Sequence, residues 1–191
     1  MQWTIPGTAL TVTDQELPFA EDKIRSMFLG GGMVLSQVAS VTGLEPYTIQ
    51  NWVKRGFLSG PQQKKYSLRQ LCRIININML KSILPMEEIC GLLEYVNGQL
   101  DDETDDLIDD SQLYFLFLRL ASYYRKSRDY QNRDTCVSHF LESYTEPVPG
   151  ARDRVAKVLQ IMLTAWGAAG LRQQAMKMVS RLKENSENVR I

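Results

Sequence analysis

Two short amphipathic segments separated by a glycine turn constrain the fold of this chain more than any other feature of its sequence. Apolar residues recur at helical spacing in both segments. The apolar positions are Leu35, Val38 and Ala39 in the first segment, and Ile49, Trp52 and Val53 in the second. Gly43 can supply the positive φ of a sharp turn, and Pro46 suits the first turn of a helix. We therefore expect two packed helices in a helix-turn-helix layout.

The residues that follow extend this pair into a larger unit, residues 33–98. Its predicted parts are a stop at Gly56–Leu58, a short basic turn at 59–66, a third helix from Leu68 to about Leu84 and a fourth from Pro85 to Asn97. Ser67 directly precedes the third helix and is a favourable N-cap. A basic turn after two short helices predicts a winged helix-turn-helix arrangement.

Three further segments complete the predicted organisation. Residues 1–32 are expected to form a loosely structured arm with one short helix, and their glycine run 30–32 is interpreted as a linker. Residues 99–110 include seven acids among the ten positions 101–110, which predicts a solvated acidic linker. Residues 111–191 are expected to form a small helical bundle. The predicted fold class is therefore mainly α, with an N-terminal winged helix-turn-helix and a C-terminal bundle.

Within the bundle, helix-capping and helix-breaking residues mark the expected ends of the helices. Ser111 is the expected N-cap of the first helix, and a second helix is expected from Tyr130 to Tyr144. Pro147 to Gly150 breaks the chain, and Gly167 to Gly170 is expected to interrupt the last apolar stripe.

Charge is distributed unevenly along a chain whose formal net charge is zero. Residues 33–81 carry seven bases and the single acid Glu45, whereas residues 82–118 carry ten acids and no base. A phosphate backbone responds to a local basic patch, so the neutral net charge does not argue against a nucleic-acid partner.

Several classes of protein are disfavoured by composition. No apolar run approaches the roughly 20 residues of a membrane span, and the first 17 residues lack a basic n-region, so we expect a cytoplasmic protein without a secretory signal. The three cysteines, Cys72, Cys90 and Cys136, form no CxxC pair, and His139 is the single histidine. With no nucleophile elbow and no paired acids on one predicted face, we expect no metal, no cofactor and no enzymatic activity.

The unit also resembles a known family. The MerR-type DNA-binding domain is similar in four stretches: Leu35 to Leu44, Trp52 to Leu58, Lys64 to Ser67 and Leu84 to Ile89. An uncharacterised bacterial family, domain of unknown function 1836, looks most similar, through Thr48 to Gly56, Lys64 to Tyr66 and Asn78 to Lys81. The resemblance covers about a third of the chain.

This resemblance implies a DNA-binding role. In MerR-type proteins the helix that matches Pro46 to Arg55 enters the major groove, and the wing touches the backbone. Two departures limit what carries over. The wing is shorter here, and an acidic linker and a bundle replace the long dimerisation helix. The DNA-distorting activation mechanism of that family is therefore not implied.

The residues themselves support the same hypothesis of a sequence-specific transcriptional regulator. If Ile49, Trp52 and Val53 face inward, polar and basic side chains occupy the outer arc of the helix. The predicted DNA-binding residues are Tyr47, Thr48, Gln50, Asn51, Lys54, Arg55, Lys64 and Lys65. Gln50 or Asn51 can pair with adenine, and the four cations can contact phosphates.

The sequence also leaves open a second hypothesis for the function, and it predicts further partners. The chain can instead be a non-enzymatic adaptor, with a degenerate winged helix and an aromatic bundle that binds a protein or small-molecule effector. A lone winged helix has a small footprint, so we also expect a homodimer, formed through the C-terminal bundle, on double-stranded DNA.

Overall fold

The computed structural model describes residues 2–100, 102, 104–127 and 133–188, and it is mainly helical, as the sequence predicts. The elements are β1 (Gln2–Thr4), β2 (Thr11–Thr13), a 3-10 turn (Leu17–Phe19), α1 (Ala20–Ser26), β3 (Met33–Val34), α2 (Leu35–Thr42), α3 (Pro46–Lys54), β4 (Lys65–Tyr66), α4 (Leu68–Leu80), α5 (Met86–Asn97), α6 (Asp110–Ser127), α7 (Arg133–Phe140) and α8 (Ala151–Asn188). The start expected at Tyr130 for the second bundle helix lies outside the described residues.

The N-terminal segment packs on the core, where the sequence analysis expects a loosely structured arm. Strands β1 and β2 pair antiparallel, and Ile5, Val12 and Ile24 are buried. Gly7, in the turn between the strands, has a φ of +74°, and a Cβ there would lie 2.5 Å from the carbonyl oxygen of Ile75 in α4. The hairpin therefore lies directly against α4, and burial of its apolar residues holds it there.

Helices α2 and α3 meet at the predicted glycine turn. Gly43 has a φ of 68° in the left-handed region, and its amide donates to the carbonyl of Ala39 at 2.8 Å. The side-chain amide of Asn78 in α4 donates to the carbonyls of Thr42 and Gly7, both at 2.9 Å. One α4 side chain thus fixes both the turn and the N-terminal hairpin.

The predicted cap of α4 is confirmed. The Ser67 hydroxyl accepts from the Gln70 amide at 3.2 Å, and the Gln70 side chain accepts from the Ser67 amide at 2.9 Å. This reciprocal capping satisfies two amides at the first turn of the helix. It fixes where the loop before Ser67 ends and α4 begins.

Helix α4 lies at the centre of a continuous hydrophobic core. It contacts α2, α5, α6 and α8, and its Leu71, Ile74 and Ile77 are fully buried. The buried cluster extends from Ile5 in the N-terminal segment to Ala165 in α8. The described residues on the two sides of the expected acidic linker therefore share one core.

The second half of the acidic segment is packed against α4, where the sequence analysis expects solvation. Asp106 forms an ion pair with Arg69 at 2.9 Å, and Asp110 forms one with Arg73 at 3.5 Å. Asp110 is only 1% exposed. Asp109, rather than the expected Ser111, caps α6, because its carboxylate accepts from the Ser111 amide at 2.7 Å.

The pKa of Asp106 is raised to about 6, chiefly by desolvation, with Arg69 opposing the rise and Asp110 adding to it. The folded state thus binds this proton more tightly than the unfolded state does, so the contribution of Asp106 to stability falls as the pH rises from about 4 through 6. We expect the urea unfolding midpoint of Asp106→Asn to fall less, or to rise more, than the midpoint of the native chain as the pH increases over this interval. Equal pH profiles for the two proteins would contradict this assignment.

Helix α8 is continuous through Gly167 and Gly170, so the expected interruption does not occur. Each glycine costs roughly 1 kcal/mol relative to alanine, and the good helix formers around them offset this cost. Residues 151–165 pack on the core, whereas every residue from Gly170 to Leu182 is exposed. Among the described residues, no helix has both the length and the apolar character of a membrane span.

Candidate nucleic-acid interface

Helix α3 presents one apolar face to the core and one polar face to solvent. Ile49 and Trp52 are buried, whereas Gln50 and Asn51 are exposed. Tyr47, in the first turn, is 71% exposed. A helix held by an apolar face in this way presents its polar side chains on a rigid support.

The groove beside α3 brings residues from three elements together. It has a volume of about 670 Å³ and lies between α3, the start of α2 and the loop of residues 59–66, which we call the 59–66 loop. The lining residues are Val34, Leu35, Ser36, Gln50, Val53, Lys54, Pro61, Lys64 and Tyr66. Two of these are cations and none is an acid. The groove is therefore electropositive, with one amide and two hydroxyls among its hydrogen-bonding side chains.

Several contacts fix the 59–66 loop. Strand β4 pairs with β3, with Val34 opposite Lys65, and the Lys65 amide donates to the carbonyl of Gln62 at 2.8 Å. The Gln70 side chain donates to the carbonyls of Ser59 and Gly60 at 3.1 and 2.8 Å. These contacts tie both ends of the loop to its supports.

The tip of the loop has an unusual backbone. Gln63 and Lys64 have φ values of 48° and 63°, in the left-handed region that L residues rarely adopt. The surrounding contacts hold this conformation, and Lys64 lines the groove beside Lys54.

The eight residues predicted from the sequence separate into three groups. Gln50, Lys54 and Lys64 line the groove. Tyr47, Thr48 and Asn51 lie on α3 but do not line it; Tyr47 and Asn51 are exposed and Thr48 is half-buried.

Arg55 and Lys65 are exposed but face other parts of the protein. The Arg55 guanidinium lies 4.6 Å from the ring centroid of Phe57. Lys65 lines a different cavity, of about 840 Å³, together with Arg69 and Arg73. Its ammonium lies on the side of Gly31, away from the groove.

Two hydroxyl-bearing residues of the groove are not among the predicted DNA-binding residues. Ser36 is in the first turn of α2, and Tyr66 is the buried residue of β4. Desolvation raises the pKa of Tyr66 further above neutral pH, and its hydroxyl is a neutral hydrogen-bonding group. A prediction that the basic turn pairs with Met33 and Val34 would have identified Ser36 and Tyr66 as groove residues. This pairing places β4 next to the start of α2.

The sequence of residues 5–117 matches the profile of a family described as Domain of unknown function (DUF1836). The chain belongs to this family. The matched region includes α3, the 59–66 loop and the acidic segment, and it ends within α6. Helices α7 and α8 lie outside it.

A curated relative extends the comparison. The chain is 33% identical over 84 residues to the uncharacterized protein YkrK of Bacillus subtilis (strain 168). The aligned part covers 42% of this chain and 36% of that relative, so the chain spans about a third of the length of the protein it matches. No solved structure matches the chain.

Proposed function

We propose that this protein is a sequence-specific, double-stranded-DNA-binding transcriptional regulator with a winged helix-turn-helix of the MerR type. Helix α3 would enter the major groove, and the 59–66 loop would contact the backbone. The groove that joins Gln50, Lys54 and Lys64 is the observation that supports this role best. It combines a polar helix face with cations on a neighbouring loop, which are the two requirements of groove reading and phosphate contact.

Local charge supports the same partner. The acids of the chain concentrate between residues 82 and 118, and those that the structure describes at 106 and 110 pair with α4. Among the residues that line the groove, charge comes from lysines only. DNA phosphates would therefore meet a positive surface at α3 and the 59–66 loop.

Gln50 and Asn51 are the proposed base contacts. An amide side chain can form two hydrogen bonds with adenine in the major groove, which contributes about 1 to 3 kcal/mol of discrimination. We expect Gln50→Ala to retain DNA binding but to relax the preferred sequence at one position. Selection of bound duplexes from a random pool, with the native chain and with the variant, measures this change. Identical selected sequences would argue against base reading by Gln50.

Binding itself is tested by titration of the full chain into labelled random duplex DNA at low salt, followed by mobility shift. Non-specific binding by this class of protein occurs at about micromolar concentration. A shifted complex in that range supports the proposal, and its absence there contradicts it.

The adaptor hypothesis depends on aromatic residues of the bundle. Tyr114, Phe115 and Phe117 are buried, and the Tyr114 hydroxyl donates to the carbonyl of Pro6 at 2.9 Å. These three side chains fill the core of the protein itself, whereas Tyr123 is 44% exposed and Trp166 lines a groove between β1 and α8. Most of the aromatic cluster is therefore used for packing, and we propose the regulator, non-enzymatic and cytoplasmic, as the main role. An effector at the C-terminal helices would be an addition to this role.

We also propose that the regulator acts as a homodimer, because two-fold regulators read paired half-sites about 34 Å apart. The C-terminal helices are the expected site of association.

A further inference from the structure

The exposed half of α8 has an apolar seam along one side. Leu171, Ala175 and Met178 follow one another at spacings of four and three residues, which place them on one face of a helix. Leu171 is 70% and Met178 is 59% exposed. Ala168 continues the seam toward the core, and Leu182 continues it toward the end of the helix. A 3-4 spacing sustained in this way is the pattern of a helix that packs against another helix.

A groove lies at the core end of this seam. It has a volume of about 840 Å³ and lies between β1 and α8. Trp3, Trp166, Ala168 and Leu171 are among its lining residues. The groove is therefore open to an apolar side chain that approaches along the seam.

The seam is self-complementary when two copies run antiparallel. We place the two-fold axis level with Gln173, so that the residue numbers of each facing pair average 173. In this register each large residue of the seam faces a small one. Leu171 then faces Ala175 of the second copy, and Met178 faces Ala168. The same register brings Met178 of the second copy to the groove beside Trp3 and Trp166, where a thioether packs well on aromatic rings.

Packing along the seam favours the same orientation. In a parallel, in-register pair each seam residue would face its own copy, so Ala168 would face Ala168 and Ala175 would face Ala175. Two facing alanines leave space between the helices. The parallel pair would also keep Met178 of the second copy away from the groove beside Trp3 and Trp166.

The seam is long enough for a small dimer interface. From Ile161, which is 44% exposed, to Leu182 the helix extends about 32 Å. Its four large apolar side chains, Ile161, Leu171, Met178 and Leu182, bury roughly 60 to 120 Å² each on full burial, or about 240 to 480 Å² per partner. This area is below the roughly 800 Å² per partner of a standard interface, so we expect a dimer of modest affinity that also uses the groove and the side chains beside the seam.

We propose that two copies of this chain associate through an antiparallel pairing of their α8 helices centred at Gln173. This interface is outside the region that matches the family profile. It deepens the homodimer part of the proposed function and rests on that part alone.

Sedimentation velocity of the full chain without DNA tests the interface with matched variants. Met178 lies on the seam, and Met176 is equally exposed but off the seam. We expect Met178→Arg to raise the dimer dissociation constant at least about 30-fold, as loss of an interface hot spot does. Met176→Arg should change it less than about 3-fold. Far-UV circular dichroism checks that both variants are folded.

Cysteine cross-linking tests the orientation. Leu171→Cys chains mixed with Ala175→Cys chains should form mixed disulfide dimers, with the native chain as a control for its own three cysteines. Disulfides between two Leu171→Cys chains instead of mixed pairs would overturn the antiparallel register. A native chain that is monomeric at about 100 μM, or equal effects of the two arginine variants, would overturn the interface. These measurements contain no DNA, so they fail or succeed separately from the DNA-binding proposal.

Discussion

A chain that carries Lys54→Glu and Lys64→Glu is expected to bind duplex DNA about 100-fold more weakly than the native chain at moderate salt. The two lysines line the same groove, one from α3 and one from the 59–66 loop. Reversal of both charges removes two proposed phosphate contacts and adds two repulsive ones. Each lost contact also makes the slope of log affinity against log salt concentration shallower by about 0.9. Fluorescence anisotropy with labelled duplex measures both quantities.

The matched control changes the same net charge on other surfaces. Arg119 in α6 and Lys157 in α8 are exposed and do not line the α3 groove. Arg119→Glu with Lys157→Glu should reduce affinity far less, because only general attraction is lost. Equal losses in the two double variants would show that net charge, and not the groove, determines binding.

Replacement of Arg73 by leucine is expected to lower the free energy of unfolding by about 3 to 5 kcal/mol, the usual cost of breaking a buried ion pair from one side. Arg73 is 3% exposed, its Nε donates to the Phe57 carbonyl at 3.1 Å, and its Nη1 lies 3.5 Å from the Asp110 carboxylate. The variant leaves the buried Asp110 carboxylate and the partly buried Phe57 carbonyl each without the Arg73 donor. Arg69 compensates little, because its Nε lies 4.0 Å from Asp110. Urea unfolding measures the change.

Two further variants test this explanation. Arg73→Leu combined with Asp110→Leu should be less destabilised than the sum of the single variants, because the unpaired buried carboxylate is gone. Arg119→Leu replaces an exposed arginine and should change stability by less than about 0.5 kcal/mol. A loss below about 1 kcal/mol in Arg73→Leu would contradict the role of the buried pair.

Short-range patterns predicted the centre of the fold well. Gly43, Pro46 and Ser67 fix local backbone conformation, so the turn between α2 and α3 and the start of α4 follow from a few neighbouring residues. The inward side of α3 follows from its period, because Ile49 and Trp52 are on one face.

Contacts between distant residues explain what the sequence did not predict. The acidic segment was expected in solvent because its acids are adjacent, but Asp110 pairs with an arginine 37 residues earlier. The N-terminal strands have only three residues each, and Gly7 packs on Ile75, which is remote in sequence. Local periodicity carries no information about either contact.

Side-chain direction limited the prediction of the candidate site. Helical spacing places Arg55 on the outer arc of α3, but its guanidinium packs on Phe57. Lys64 and Lys65 are neighbours, but successive residues of a strand or tight turn face opposite sides, so only Lys64 lines the α3 groove. The groove therefore contains three of the eight predicted residues.

The salt dependence of DNA binding tests the central proposal most directly. The logarithm of the affinity of the native chain for random duplex should fall linearly with the logarithm of salt concentration, and Lys54→Gln and Lys64→Gln should each make this slope shallower by about 0.9. Absence of binding at low salt, or identical slopes for the native chain and both variants, would contradict a DNA-binding surface on α3 and the 59–66 loop.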